Sequence, residues 1–137
     1  MIENRDKMLE ICSTLNVLYV EDDKAARINT TELLENFFDN ITVAVDGEDG
    51  LEKYIQNDGN FDLVITDINM PNRNGLSMTR EIKKINKKTY CLIMTAHNES
   101  HLLIDAIGIG VNGFLVKPVS LHTFTNEIEK FTKEIKS

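Results

Sequence analysis

Five short runs of apolar, mostly β-branched residues recur along the chain: Val17-Leu18-Tyr19-Val20, Ile41-Thr42-Val43-Ala44-Val45, Leu63-Val64-Ile65-Thr66, Cys91-Leu92-Ile93-Met94 and Gly113-Phe114-Leu115-Val116. Each is bounded by polar residues or glycine, which suits a strand buried on both faces better than a helix. The stretches between them carry apolar residues at helical spacing. The stripes are Ala25, Ile28, Leu33, Leu34, Phe37 and Phe38; then Leu51, Tyr54 and Ile55; then Met78, Ile82 and Ile85; then Leu102, Leu103, Ala106 and Ile107. The longest, after a capping Ser120, is Leu121, Phe124, Ile128, Phe131 and Ile135. Strand–helix alternation repeated five times, with right-handed crossovers, predicts an α/β fold: a doubly wound, five-stranded parallel sheet with helices on both faces. Ahead of the first strand, Met8, Ile11, Cys12 and Leu15 fall at i, i+3, i+4 and i+7. That spacing predicts an extra N-terminal helix, so residues 1–14 read as an extension and residues 15–137 as one domain.

At 137 residues, 42% hydrophobic and 27% charged, the chain is long enough to bury a sizeable core without a disulfide or metal staple. No apolar run approaches the length of a membrane span, and the charged start Met1-Ile2-Glu3-Asn4-Arg5-Asp6 lacks the apolar core of a signal peptide. Cys12 and Cys91 have no Cys or His at metal-ligand spacing. These features lead to the expectation of a cytoplasmic location. The net charge of -7 argues against nucleic acid as the main ligand, because phosphate contacts need clustered Lys and Arg. The basic run Lys83-Lys84-Ile85-Asn86-Lys87-Lys88 reads as a solvated helix end and loop.

In an open parallel sheet, ligands bind beyond the carboxyl ends of the strands. Glu21, Asp22 and Asp23 follow the first strand, and Asp67, Asn69, Met70 and Pro71 the third. Thr95 and Ala96 follow the fourth, and Lys117 and Pro118 the fifth. Three carboxylates, Glu21, Asp22 and Asp67, then converge on one edge, which is unfavourable unless a cation neutralises them. A hard divalent ion such as Mg²⁺ does so with few protein ligands. Lys117 is the cation aimed at the cluster, and Thr95 adds a hydroxyl. Acids, a metal, a lysine and a hydroxyl suit phosphoryl transfer to a carboxylate. Taken singly, any of these acids is equally at home as a turn or cap residue, and Asp23 reads as the cap of the first helix.

In order along the chain stand Val20-Glu21-Asp22-Asp23, the string from Leu63 through Asp67-Ile68-Asn69-Met70-Pro71-Asn72-Arg73-Asn74-Gly75-Leu76, then Met94-Thr95-Ala96, then Gly113-Phe114-Leu115-Val116-Lys117-Pro118. The chain resembles the response-regulator receiver domains of two-component signalling, over roughly nine tenths of its length. The resemblance implies the flavodoxin-like strand order 2-1-3-4-5. It implies Asp67 as phosphoacceptor toward a phosphohistidine on a histidine kinase or phosphotransfer protein, so that the chain is a switch rather than an enzyme. Mg²⁺ would be held by Glu21, Asp22, Asp67 and the backbone carbonyl of Asn69. Lys117 and Thr95 would contact phosphoryl oxygens, and Phe114 would be the aromatic that swings inward behind Thr95. Asn69 and His97 would flank the path of hydrolytic water, where an imidazole would make phosphoryl loss depend on pH near neutrality. A cis bond before Pro118 and a backbone conformation at Gly75 that disfavours a Cβ are further expectations.

Three other readings compete. A flavodoxin-type FMN binder needs a hydroxyl- and glycine-rich phosphate loop where this chain has Glu21-Asp22-Asp23. A haloacid-dehalogenase-type phosphatase needs a second Asp where Asn69 stands, plus a cap. A pseudo-receiver used only for binding has no reason to keep the acids, Thr95 and Lys117 together. No effector sequence follows Ile135, so the chain reads as a stand-alone receiver or as part of a longer regulator. Its output is expected through a downstream partner or a homodimer.

Overall fold

The computed structural model describes residues 2–136, excepting the side chains of residues 2–4, His97 and Lys136. In chain order the elements are α1 (Ile2–Cys12), β1 (Asn16–Val20), α2 (Lys24–Leu34), β2 (Asn40–Ala44), α3 (Gly47–Gln56) and β3 (Leu63–Asp67). Then come α4 (Gly75–Ile85), β4 (Tyr90–Thr95), a 3₁₀ turn (His97–Leu102), α5 (Leu103–Ile109), β5 (Gly113–Val116) and α6 (Leu121–Lys136). The five strands form one sheet in the order β2-β1-β3-β4-β5, and every pairing is parallel. Both the strand order and the extra N-terminal helix are as expected.

Alternation along each strand sends side chains to two separate cores. Val17, Tyr19, Leu63, Ile65, Leu92, Met94 and Leu115 point to the face covered by α1, α2 and α6, where they meet Met8, Cys12, Leu34, Phe124, Ile128 and Phe131. Leu18, Val20, Val64 and Cys91 point to the other face, against Leu51 and Tyr54 of α3 and Met78 and Ile82 of α4. A smaller cluster of Ile68, Leu76, Ile93 and Ala106 continues that face under α5. The Phe37 and Phe124 rings meet edge-on at 5.2 Å, and Tyr90 packs on Phe131 at 4.9 Å. Each such buried side chain contributes about 1.5–3 kcal/mol. Both thiols are free and buried, and burial pushes the pKa of each up to about 12.

The helical stripes hold at their centres and fail at their edges. Ile28, Ile55, Ile85 and Ile107 are exposed, as are Leu121 and Ile135 at the two ends of α6. Ala25 is exposed as well, and Phe37 and Phe38 are buried in the turn after α2 rather than on it. A helix on a doubly covered sheet buries only a narrow face. On α3 and α4 small residues take part of it, with Gly47 and Gly50 on the first and Gly75 and Thr79 on the second. The 3₁₀ turn shortens α5, so its buried contacts are Ala106 with Leu102 and Ile109, not Ile107. Asp23 caps α2 through the Ala26 N–H at 2.8 Å, and Ser120 caps α6 through the Thr123 N–H at 3.1 Å. In the basic run, Lys83 folds inward onto the Lys87 and Thr89 carbonyls and Asn112 Oδ1. Lys84 pairs with Glu81, in keeping with a solvated helix end.

α1 docks on the domain itself: Met8 and Cys12 enter the same core as Phe124, Ile128 and Phe131 of α6. An isolated helix this short is marginal in water, so this packing is what holds it. Deleting residues 1–13 is expected to lower the melting temperature by about 5–10 °C, from the lost burial of two to three side chains. Thermal unfolding of the truncated and full chains checks this, and equal midpoints would make α1 a passive tail.

Candidate functional site

Register brings the strand ends together. Val20 pairs with Thr66, Asp67 with Met94, and Thr95 with Val116. Glu21 continues β1 by one step, its N–H on the Ala44 carbonyl at 3.1 Å, and Lys117 continues β5, its N–H on the Thr95 carbonyl at 2.8 Å. Asp67 is the last residue of β3 and Thr95 the last of β4. The bond from Lys117 to Pro118 is cis, as expected.

Lys117 Nζ lies 2.7 Å from Asp67 Oδ2 and 3.8 Å from Glu21 Oε1. The other Asp67 oxygen accepts from the Ile68 N–H at 2.9 Å. Glu21 is 1% exposed and Asp67 7%. Burial, reinforced by the charge of Asp67, pushes the Glu21 carboxyl up to about 7 against the opposing pull of the Asp23 N–H and Lys117. Burial alone would lower Lys117, but the hydrogen bond and charge of Asp67, with the charge of Glu21, outweigh it and hold the ammonium raised. Asp22 is exposed.

Glu21, Asp22 and Asp67 each offer an oxygen within 4.8 Å of the others. Glu21 Oε1 is buried and accepts no hydrogen bond. A buried carboxylate oxygen without a donor, beside two more acids, fits a hard divalent cation. On the rim, the Arg27 guanidinium donates to the Glu21 and Asp22 carbonyls at 2.9 and 3.2 Å. Lys117 is therefore not the sole cation at this edge. Arg27 was missed because its role is to fix backbone, which residue type does not reveal.

The loop after β3 is pinned at several points. The Gly75 N–H bonds to the Ile68 carbonyl at 2.8 Å. Asn72, at φ 67°, donates to the Asp46 cap of α3 at 2.7 Å, which helps hold the Asp46 carboxyl below its usual range after the stronger effect of the Asp49 N–H. The expectation for Gly75 needs a different reason. Its φ is not among the positive ones; a Cβ there would collide with the Asp67 backbone carbonyl. The demand is for space where α4 starts against the site.

Thr95 is buried, with its hydroxyl on the Ala96 carbonyl at 3.2 Å rather than on Asp67. Phe114 is half-buried against the Ile68, Leu76, Ile93 and Ala106 cluster. Asn69 donates its side-chain amide to Glu99, whose other oxygen accepts the Ala96 N–H at 2.8 Å. Glu99 was also missed, although an acid three residues after a helix start is a capping signal. The side chain of His97 lies outside the described residues. No helix among the described residues is long and apolar enough to cross a membrane.

Residues 17–129 match the family described as response regulator receiver domain. The chemotaxis protein CheY of Pseudomonas aeruginosa is 31% identical over 124 residues, covering 88% of this chain and 98% of that protein. A receiver domain protein from Clostridium thermocellum superposes with a TM-score of 0.82 at 29% identity, covering 89% of this chain and 97% of the other. The CheX–CheY complex of Borrelia burgdorferi, solved with BeF₃ and Mg²⁺, includes a chain that matches at a TM-score of 0.79 and 27% identity, covering 86% and 89%. The chain spans about half the length of other curated relatives it matches, 53% for the transcriptional regulatory protein DltR of Streptococcus agalactiae at 29% identity. Fold, ordered motifs and relatives agree: this chain belongs to the receiver domains of two-component response regulators.

Proposed function

We propose that the chain is a phosphorylation-dependent switch in which Asp67 accepts a phosphoryl group from the phosphohistidine of a histidine kinase or phosphotransfer protein. Residues 15–137 form the switch, and residues 1–14 are an extension whose Met8 and Cys12 pack on it. The observation that carries this reading is the setting of Asp67: buried, with one oxygen on Lys117 and two further acids alongside. An Asp67 oxygen attacks phosphorus, the P–N bond breaks, and the electron pair leaves on the imidazole nitrogen, which takes up a proton. The product is an acyl phosphate.

Glu21, Asp22, Asp67 and the Asn69 backbone carbonyl would hold Mg²⁺, a metal also present with the Borrelia CheY. When bound it supplies the positive charge that lets carboxylates and phosphoryl oxygens share one site. Lys117 passes from the Asp67 carboxylate to a phosphoryl oxygen. Thr95 leaves the Ala96 carbonyl to donate to another, and Phe114 moves into the space behind it. Asn69 and His97, two residues past Asp67 and Thr95 in the chain, tune phosphoryl lifetime. The changed surface is read by a downstream partner or by a second copy of the chain.

Incubation with acetyl phosphate and Mg²⁺ is expected to add a single phosphoryl group to the wild type and none to Asp67→Asn. Intact mass measures this, and stoichiometric phosphate on the variant would refute the assignment.

The raised carboxyl of Glu21 sets a pH dependence. Between the ordinary glutamate value of 4.5 and about 7, the folded state holds more protons than the unfolded one. Its contribution to stability therefore falls as pH rises through that window. Mg²⁺ binds the ionised form, so millimolar MgCl₂ should raise the melting temperature more at pH 8 than at pH 5. A Mg²⁺ effect equal at both pH values would count against metal at Glu21.

Lys117→Ala leaves Glu21 and Asp67 without their ammonium, a costly arrangement for buried acids. The variant should stay folded, melt lower and lose the phosphorylation-dependent change in its NMR spectrum. Loss of native circular dichroism would instead make Lys117 a structural residue.

A further inference from the structure

We infer that Glu99 is a positioning residue that sets the metal affinity of the site by holding Asn69 in place. This rests on the reading that Mg²⁺ sits among Glu21, Asp22, Asp67 and the Asn69 carbonyl. Glu99 is 6% exposed, and both of its oxygens are occupied. Oε1 accepts the Ala96 N–H at 2.8 Å, which is an ordinary cap for the 3₁₀ turn it belongs to. Oε2 accepts the Asn69 side-chain amide, and that bond is not local, because Asn69 precedes Glu99 by thirty positions and lies in the loop after β3.

The loop from Ile68 to Asn74 has no regular backbone ladder; backbone N–H groups hold its Ile68, Pro71 and Arg73 carbonyls, and side-chain ties hold it at Asn69 and Asn72. At its far end Asn72 is tied to Asp46. At its near end, two residues past Asp67, the tie is Asn69 to Glu99. Glu99 is buried and Asn69 exposed, and the carboxylate acceptor makes this the stronger kind of hydrogen bond. One carboxylate thus joins the loop that carries a metal-facing carbonyl to the end of the strand that carries Thr95. Its charge also reaches Lys117, which it helps hold raised, so charge and position must be separated by experiment.

The substitution Glu99→Gln does this. The new side chain keeps an oxygen for the Ala96 N–H and offers an amide to Asn69, which accepts through its own oxygen once its amide turns over. Position is retained and charge is lost. Calorimetric titration of the full, unphosphorylated chain with MgCl₂ reads affinity without any phosphoryl chemistry. We expect Glu99→Ala and Asn69→Ala each to weaken Mg²⁺ binding about ten-fold, as loss of an outer-shell partner does. The Asn69 carbonyl survives both changes. Glu99→Gln should stay within about two-fold of the wild type, and the double alanine variant should be no weaker than either single one. Equal weakening in Glu99→Gln and Glu99→Ala would overturn the inference in favour of simple charge. Unchanged affinity in Asn69→Ala would overturn it outright, and that variant decides the matter if Glu99→Ala fails to fold. Absence of Mg²⁺ binding to the wild type would overturn both the metal reading and this inference. Wild-type phosphorylation, read separately by mass with acetyl phosphate, tests the proposed switch; if it fails while the Mg²⁺ pattern holds, the switch reading falls and the inference stands.

Discussion

Two carboxylates buried side by side with one ammonium between them are the constraint around which this molecule is built. Glu21 and Asp67 sit almost wholly out of solvent, and Lys117 reaches both, at 3.8 and 2.7 Å. Such a group is unfavourable in a protein interior unless its geometry is held and further donors satisfy what remains. Ile68 and Asp23 supply backbone N–H groups. One Glu21 oxygen is left without a hydrogen bond, and burial beside the charge of Asp67 raises its carboxyl pKa. These groups thus offer a divalent cation a place among their oxygens.

That arrangement places demands on elements far apart in the chain. The parallel sheet must end its strands in step, so that β1, β3 and β5 deliver Glu21, Asp67 and Lys117 to one edge. The start of α4 must come so close to Asp67 that only glycine fits at position 75. Gly47 of α3 meets the same limit against the Arg73 carbonyl, to which its N–H also bonds at 3.0 Å. Loops with little regular structure are held instead by side chains, Asn72 on Asp46 and Asn69 on Glu99. Rigidity at the site is therefore assembled from individual polar ties laid over a sheet that supplies the coarse alignment.

The fold was legible because its signals are local. Four- and five-residue β-branched runs separated by helical stripes leave few alternatives to a parallel sheet, and each run lies in a strand, with Val45 alone just past the end of β2. The stripes were less reliable at their edges. Ile28, Ile55, Ile85 and Ile107 fit the helical period and yet face solvent, because periodicity gives a direction around the helix but not the width of the face that a neighbour covers. The acids and lysine at the strand ends were legible for a similar reason. Topology dictates where strand ends lie, so residue type and order suffice to gather Glu21, Asp67, Thr95 and Lys117.

Arg27 and Glu99 could not be found that way. Arg27 acts on the Glu21 and Asp22 carbonyls, and Glu99 on an amide from another loop. Both interactions join a side chain on one element to irregular backbone or a loop residue on another, Arg27 reaching from α2, and residue identity does not encode how those segments are placed. By itself the sequence determined the sheet, its helical layers and the residues gathered at its carboxyl edge, because those follow from patterns of two and 3.6 residues and from chain connectivity. Only the tertiary structure decided that α1 lies on α6, that Gly75 is required for room rather than for φ, and that Glu99 ties the loop after β3 to the end of β4. Those outcomes turn on distances between segments remote in the chain, which no local pattern records.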